Sequence, residues 1–382
     1  MYNKFIAFIL LGLFFGCQRL PNEYLIENSS SDKEIVSLEY VRDLVIPLDS
    51  IGSPIYNLFS LYTHGGDEFY IGHNERSFTL DLINLSKGKV IQSTSLNREG
   101  PDGIPSRISK MLVHNLDSIF VIQDQKMRII NIDGRILNEY ETTIKGEDGS
   151  EIGFMINYND ASIHYDPREQ AVYTHYFDYG IYNGVEKSLS HPIVLKFYLK
   201  NENFEFLPVY FSEFIQSKKG KVGERMPNLS YIGSKLIYGF PVESNIYSYD
   251  IKEGITASYG GKSRFSSNIE LSQNDPEYNF RATETWFLHV QYDKQSGLYF
   301  RTHWGSQPKK IDEFTYSTAY SKPGYLIFFN ENFEIIDEIE LDSKYWVEES
   351  FTNSLGLFFT KKDLYVDNDL NLVFGVFKAV RK

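Results

Sequence analysis

The sequence predicts an all-β protein, a β-propeller of six four-stranded blades closed by the N-terminal strand pairing with the C-terminal blade. Three observations predict it. Residue usage favours strands: 28 Tyr and 29 Phe, with hydrophobic residues at 42%, supply the bulky side chains that fit a pleated, half-buried surface. A hairpin unit recurs along the chain. The last copy of that unit is one strand short, while the first folded segment is a lone strand.

In chain order, the opening MYNKFIAFILLGLFFGCQRLPNEY comes first. Met1 to Lys4 carries one positive charge, and Phe5 to Phe15 is apolar apart from Gly12. As a helix, that run is too short to span a ~30 Å hydrocarbon core. Gly16 supplies the small residue expected before a signal-peptide cleavage point. Cys17, the single cysteine of the chain, follows it. Phe14-Phe15-Gly16-Cys17 resembles the lipobox of bacterial lipoproteins, in which the cysteine is acylated and becomes the first residue after cleavage. Residues 1–16 are therefore expected to be a signal peptide. Residues 17–34 are expected to be an acylated tether, polar and without periodicity, and residues 35–382 a single propeller domain. Two or three acyl chains make a stable anchor where one is marginal. With the only thiol carrying lipid, no disulfide or cysteine metal site is expected.

The folded part opens with LEYVRDLVIPL, Leu38 to Leu48, a strand with no hairpin partner of its own. The clearest repeat unit is LDSIFVIQDQKMRIINIDGRILNEYE. Strands at Ser118 to Gln123 and Met127 to Ile132 are followed by a return from Arg135 to Tyr140. Asp133-Gly134 is expected to make a type I′ turn between the last two, with positive φ at both central residues. The same frame turns at Lys87-Gly88, Asn201 to Asn203, Glu253-Gly254 and Asn330 to Asn332. Matching hairpins, IHYDPREQAVYTHY and VQYDKQSGLYFRTHW, precede the two longer copies. Units near 57–96, 108–143, 155–212, 228–262, 286–342 and 355–380 give six blades, unevenly spaced. Apolar strands without alternation, such as SIFVI and YLIFF, are what blades packed between two neighbours require. Pairing the lone first strand with the short last unit would remove the exposed sheet edges. A pair of β-sandwiches and a seven-bladed ring are the alternatives.

The order of these features resembles the TolB-like six-bladed propeller lipoproteins of Bacteroidota. They are the FFGC motif, the polar tether, a Pro/Gly loop (NREGPDGIPSRI) after the first unit, the paired YD hairpins and the closing strand. That resemblance implies an outer-membrane lipoprotein facing the periplasm or the exterior. It implies no agreed ligand and no catalytic residue. The triplets Asp49-Ser50-Ile51 and Asp117-Ser118-Ile119 resemble the O-glycosylation acceptor motif of exported proteins in that phylum.

A net charge of −13 disfavours nucleic acid and direct adhesion to anionic headgroups, which leaves membrane attachment to the acyl anchor. Gly260-Gly261-Lys262-Ser263 has the tail of a phosphate loop, but Thr256 stands where the first glycine belongs, and nucleotide binding is rejected. His164 and His175 flank one hairpin with Asp178 nearby. Metal sites need three or four converging ligands, so no metal or other cofactor is assigned. Arg98 and Arg107 bracket the densest Gly/Pro loop, where an anionic group could gain charge-assisted bonds at a propeller mouth. Its other reading is a rigid crossover with solvated charges. Arg301 and His303 share one face of the strand YFRTHW. They either line the central channel or serve structure, the arginine paired to a carbonyl or carboxylate. The loop carrying Lys218, Lys219, Lys221 and Arg225 is basic on an acidic protein.

The function expected is a lipid-anchored, extracytoplasmic binding module that is not an enzyme, with an envelope protein or a glycan as partner. The alternative is a propeller-type hydrolase or lyase acting on glycans through channel carboxylates.

Overall fold

In the computed structural model, residues 26, 35–48, 56–105, 107–123, 126–145, 151–154, 163–177, 189–217, 227–267, 280–362 and 370–382 are described. They form six antiparallel sheets arranged as a six-bladed propeller. After the lone strand β1 (Val36–Pro47), blade 1 comprises β2 (Leu58–His64), β3 (Asp67–Asn74), β4 (Thr79–Asn84) and β5 (Lys89–Ser95). Blade 2 comprises β6 (Lys110–Asn115), β7 (Ser118–Gln123), β8 (Lys126–Ile130) and β9 (Ile136–Glu141). A small hairpin of β10 (Ile144–Lys145) and β11 (Glu151–Phe154) extends blade 3. Its main strands are β12 (Ile163–Asp166), β13 (Ala171–Phe177), β14 (Val194–Tyr198) and β15 (Asn203–Leu207). Blade 4 is β16 (Asn228–Ile232), β17 (Lys235–Phe240), β18 (Glu243–Asp250) and β19 (Ile255–Tyr259). Blade 5 is β20 (Trp286–Asp293), β21 (Leu298–Trp304), β22 (Gly324–Phe329) and β23 (Ile335–Leu341). Blade 6 takes β24 (Tyr345–Asn353), β25 (Gly356–Lys361) and β26 (Asn371–Arg381), and β1 completes it from outside.

The first strand of each blade is innermost: β2 lies against β6, and β20 against β16 and β24. Side chains stitch this inner ring. Ser60 Oγ accepts the Val113 amide at 3.1 Å, Asn228 Nδ2 donates to the Phe287 carbonyl at 2.7 Å, and Gln291 Nε2 donates to Ser350 Oγ at 3.1 Å. Fourth strands face water, so β5, β9 and β19 are largely exposed or half-buried.

The core is a circuit of interfaces between blades. Leu80, Ile108 and Ile119 join blades 1 and 2, and Phe120, Phe197 and Leu229 run through blades 2, 3 and 4. Ile246 meets Phe287 and Ile327 between blades 4 and 5, and Phe300 meets Trp346 between blades 5 and 6. Leu44, Ile46, Tyr70, Phe351 and Phe374 close blade 6 onto blade 1. Both faces of a middle strand are covered in this way, which explains its unbroken apolar run. The closing strand β1 pairs with β26 from Val36↔Arg381 to Pro47↔Asn371, with one irregularity between Tyr40 and Arg42.

Two expectations about local structure are corrected. Asp133-Gly134 is not a type I′ turn: Gly134 has φ +80°, and Asp133 is not among the residues with positive φ. The turn is four residues long, with the Gly134 amide donating to the Asn131 carbonyl at 2.9 Å and the Asn131 amide to that of Arg135 at 3.1 Å. The extra residue appears as a register shift between Ile129 and Ile130. The last blade begins at Tyr345, not near residue 355; the pair Glu348-Glu349 hides β24 from a search for apolar runs. Residues 1–25 and 27–34, and with them Cys17, lie outside the described residues.

Candidate functional site

The two ends of the ring differ. At one end the strands are joined by tight connections, such as 65–66, 116–117, 233–234 and 251–254. At the other end the strands are joined by longer connections, of which residues 96–105, 107–109, 189–193, 208–217, 260–267, 280–285 and 305–323 are described. Long connections held on a rigid scaffold are where recognition concentrates. This end also carries Phe314 and Tyr316, 86% and 59% exposed, and Phe265, whose ring stacks on Tyr325 at 4.7 Å.

Polar side chains collect beneath the long connections. In blade 1 the Arg98 guanidinium carbon lies 3.8 Å from the Phe78 ring centroid. Arg107 pairs with Glu75, Nη2 to Oε1 at 2.7 Å. His73, buried near the end of β3, packs edge-on against the same Phe78 ring at 5.4 Å. Burial pushes its imidazole down to about 4, Glu75 opposes that shift, and Arg107 and Arg98 reinforce it.

Between blades 2 and 3, buried Lys110 donates from Nζ to Thr174 Oγ1 at 2.9 Å and lies 3.5 Å from His175 Nε2. His164 is held by stacking, 3.9 Å from the Tyr231 ring. The register of their hairpin is Asp166↔Ala171, while Asp178 lies outside the described residues. Among the described residues, no group of three or more His, Cys, Asp or Glu is placed to hold a metal.

Between blades 4 and 5 sits fully buried Arg301. Its Nε donates to the Leu288 carbonyl at 2.8 Å and its Nη2 to that of Phe240 at 3.0 Å. Nη1 reaches the carbonyls of Glu243, Ser244 and Asn245 at 3.2, 2.9 and 3.1 Å. The side chain fastens the β17–β18 connection to blade 5, the second of its two sequence readings. Gly239 makes room for it, since a Cβ there would meet Nη2 at 2.6 Å. Nearby, Glu243 is buried, and its Oε2 has no partner among the described residues. Burial drives this carboxyl up to about 7, against the pull of hydrogen bonds and of Arg301.

His303, two residues along β21, is buried and pushed down to about 3, first by burial and then by Arg301 and Lys322. Its 3.5 Å approach to Glu338 is therefore made by a neutral imidazole and is not an ion pair. Glu338 accepts Ser263 Oγ and the Arg264 amide, each at 2.6 Å, and burial raises its carboxyl. Ser263 thus donates its hydrogen bond to the carboxylate and lies 3.4 Å from His303 Nε2, while His303 Nδ1 has no partner among the described residues. A nucleophilic triad needs the carboxylate on the far side of the histidine. The order here is a structural latch that fastens Ser263 and Arg264 to Glu338 of blade 5.

The four candidate residues form two pairs, one in blade 1 and one in blade 5. Sequence reasoning missed Glu243, Glu338, Lys110 and His73, and it weighed Ser263 only as the tail of a phosphate loop. For His73 a signal existed: YIGH, YTH and RTH each place a histidine near the end of the second strand, in blades 1, 3 and 5.

The family described as a domain of unknown function, DUF4221, matches residues 18–340. A solved member of that family from Bacteroides vulgatus is 19% identical and superposes with a TM-score of 0.77, covering 92% of this chain and 100% of its own. A Bacteroides fragilis protein described as exported is 10% identical with a TM-score of 0.48, over 94% of this chain and 98% of its own. A luciferin-regenerating enzyme is 10% identical with a TM-score of 0.44, over 89% and 95%. No curated protein matches the chain.

Proposed function

This chain belongs to the DUF4221 family, and on that premise we propose that it is a lipid-anchored, extracytoplasmic binding module presenting the long-loop end of the propeller to its ligand. The likeness to TolB-like envelope lipoproteins is part of this reading, as are the leader of residues 1–16, acylation at Cys17 and the tether that follows. One observation carries the binding role. The end with the long connections offers exposed arginine and aromatic side chains, while the carboxyl groups with raised affinity for protons are sealed below it. Canonical glycoside hydrolysis uses two carboxyl groups flanking the bond; Glu243 and Glu338 are 0% and 3% exposed. A rigid ring with variable loops suits recognition.

The test immobilises the mature chain and passes envelope glycans and peptides over it, with mass spectrometry of what is retained. Saturable retention of molecules recovered at unchanged mass supports binding. Shortened or unsaturated products would replace it with a hydrolase or lyase. Metabolic labelling with a clickable fatty acid should mark the wild type and not Cys17→Ala, and the variant should leave the membrane fraction.

A further inference from the structure

The blade 1 loop is built more firmly than a solvated crossover requires. The Leu96 amide donates to the Phe78 carbonyl at 3.0 Å, which pins the start of the loop beside that ring. The Ile104 amide closes onto the Asn97 carbonyl at 2.7 Å and the Gly103 amide onto that of Gly100 at 3.0 Å. Asp102 Oδ1 accepts the Ile136 amide at 2.8 Å, tying the loop to blade 2. Ile104 and Ile108 are wholly buried. Arg98 and Arg107 therefore project from a preorganised frame.

Phe78, the platform for Arg98, holds φ +55°. That conformation costs a non-glycine residue about 1 kcal/mol or more and persists where surrounding structure enforces it. A guanidinium stacked on a ring keeps its N–H groups in its own plane, free at the edge for a forked acceptor. Arg98 is exposed, and among the described residues it has no hydrogen-bond acceptor or carboxylate partner. Arg107 is held by Glu75 and is 47% exposed at its side chain. Beneath them neither ring nitrogen of buried His73 has a partner among the described residues. A neutral imidazole always has one donor and one acceptor, and leaving both unmet costs about 1–3 kcal/mol for each group.

We propose that this corner is an oxyanion-binding site, taking the carboxylate or phosphate group of its ligand. Arg98 is the forked donor and Arg107 the second cation, with His73 as the buried polar floor. The site rests on reading the long-loop end as the binding face. Carboxylate and phosphate share the chemistry Arg98 selects, and Glu75 sets a limit by repelling an anion that reaches past Arg107.

The test is calorimetry on the mature, full-length chain with glucuronate, glucose 6-phosphate and uncharged glucose, at low and high salt. At least one anion should bind tenfold or more tightly than glucose, and that affinity should fall as salt rises. The preferred anion assigns the group as carboxylate or phosphate. Arg98→Ala should weaken anion binding at least tenfold. Arg98→Lys should recover little of it, because an ammonium cannot fork; Arg107→Ala should lose less than Arg98→Ala. Near-ultraviolet circular dichroism checks that each variant is folded. Failure of both anions to outbind glucose, or an unchanged affinity in Arg98→Ala, overturns the site. An uncharged molecule retained at unchanged mass in the capture experiment would still uphold the binding module, so the two readings fail separately.

Discussion

At the scale of single residues, the interior at the blade 4–5 junction is polar, and its ionisable groups carry a pH signature. Among the described residues Glu243 has no salt-bridge partner, and its carboxyl is raised from 4.5 to about 7, chiefly by burial. The folded protein thus holds a proton that the unfolded chain releases between those values. The stabilisation is fully present below pH 4.5 and is lost as pH rises through 7, a swing of about 3 kcal/mol. Glu243→Gln should therefore be more stable than the wild type at pH 8, with no such gain at pH 5. Urea titrations at the two pH values decide it, and an equal gain at both would mean that the carboxyl is not the cause. Arg301 shows how far residues of this kind are legible in a sequence. Its setting between Phe300 and Thr302 marks it as a polar group on a buried strand. The carbonyls it binds come from four other positions in blade 4 and one in blade 5, a set fixed by blade packing. Arg98 and Arg107 were legible because Gly and Pro flank them. The place of His73 could have been read from the histidines that recur at the ends of second strands, but its unpaired ring nitrogens could not, since nothing local announces them.

At the scale of elements, one turn is used twice with different chemistry. Asn131 to Gly134 and Asn330 to Phe333 share their bonding. The fourth residue donates to the first, and the asparagine side chain accepts the amide of the fifth at 2.9 and 3.0 Å. Each sits beside a register shift in the flanking strand. Glycine occupies the left-handed position in one copy; Phe333, at φ +59°, occupies it in the other. The phenylalanine persists there because it is 2% exposed and packs against Tyr259 and Tyr299 at 4.6 and 4.5 Å. Gly134→Ala should cost about 1–2 kcal/mol, from the left-handed backbone and from Leu96 Cδ2 at 3.2 Å from the new Cβ. Phe333→Gly relieves the backbone yet forfeits a buried ring worth about 2–3 kcal/mol, so it too should destabilise, by about 1–2 kcal/mol. A gain in urea resistance for Phe333→Gly would show that strain outweighs burial at that corner. The hairpin frame was readable at both turns. The turn type was not, because a phenylalanine gives no sign of a left-handed position until its burial is known.

At the scale of the molecule, the six interfaces form a closed circuit, and that topology should govern how the fold fails. In an open array of repeats the end units fray, because each has one neighbour. Here β1 lies outermost in blade 6 along most of β26, with Lys361 Nζ 2.7 Å from Asp43 Oδ2. Leu44 and Ile46 plug the seam between blades 6 and 1. Apolar closure of this kind is long-range in sequence, yet it was visible as a strand without a partner at one end and a blade short of a strand at the other. A chain lacking residues 1–34, which forfeits the 3.3 Å bond from the Ile26 amide to Asn245 Oδ1 and keeps the closing strand, is the reference. Deleting residues 1–48 removes the closing strand, bares the β26 edge and uncovers the seam. That chain should lose its single cooperative transition and aggregate through the open edge. Supplying residues 35–48 as a separate peptide should restore a cooperative melt, since ring closure needs the strand and not its covalent link. If the shorter chain melts as sharply as the longer one, and without the peptide, each blade is stable on its own neighbours and closure contributes only the last few contacts.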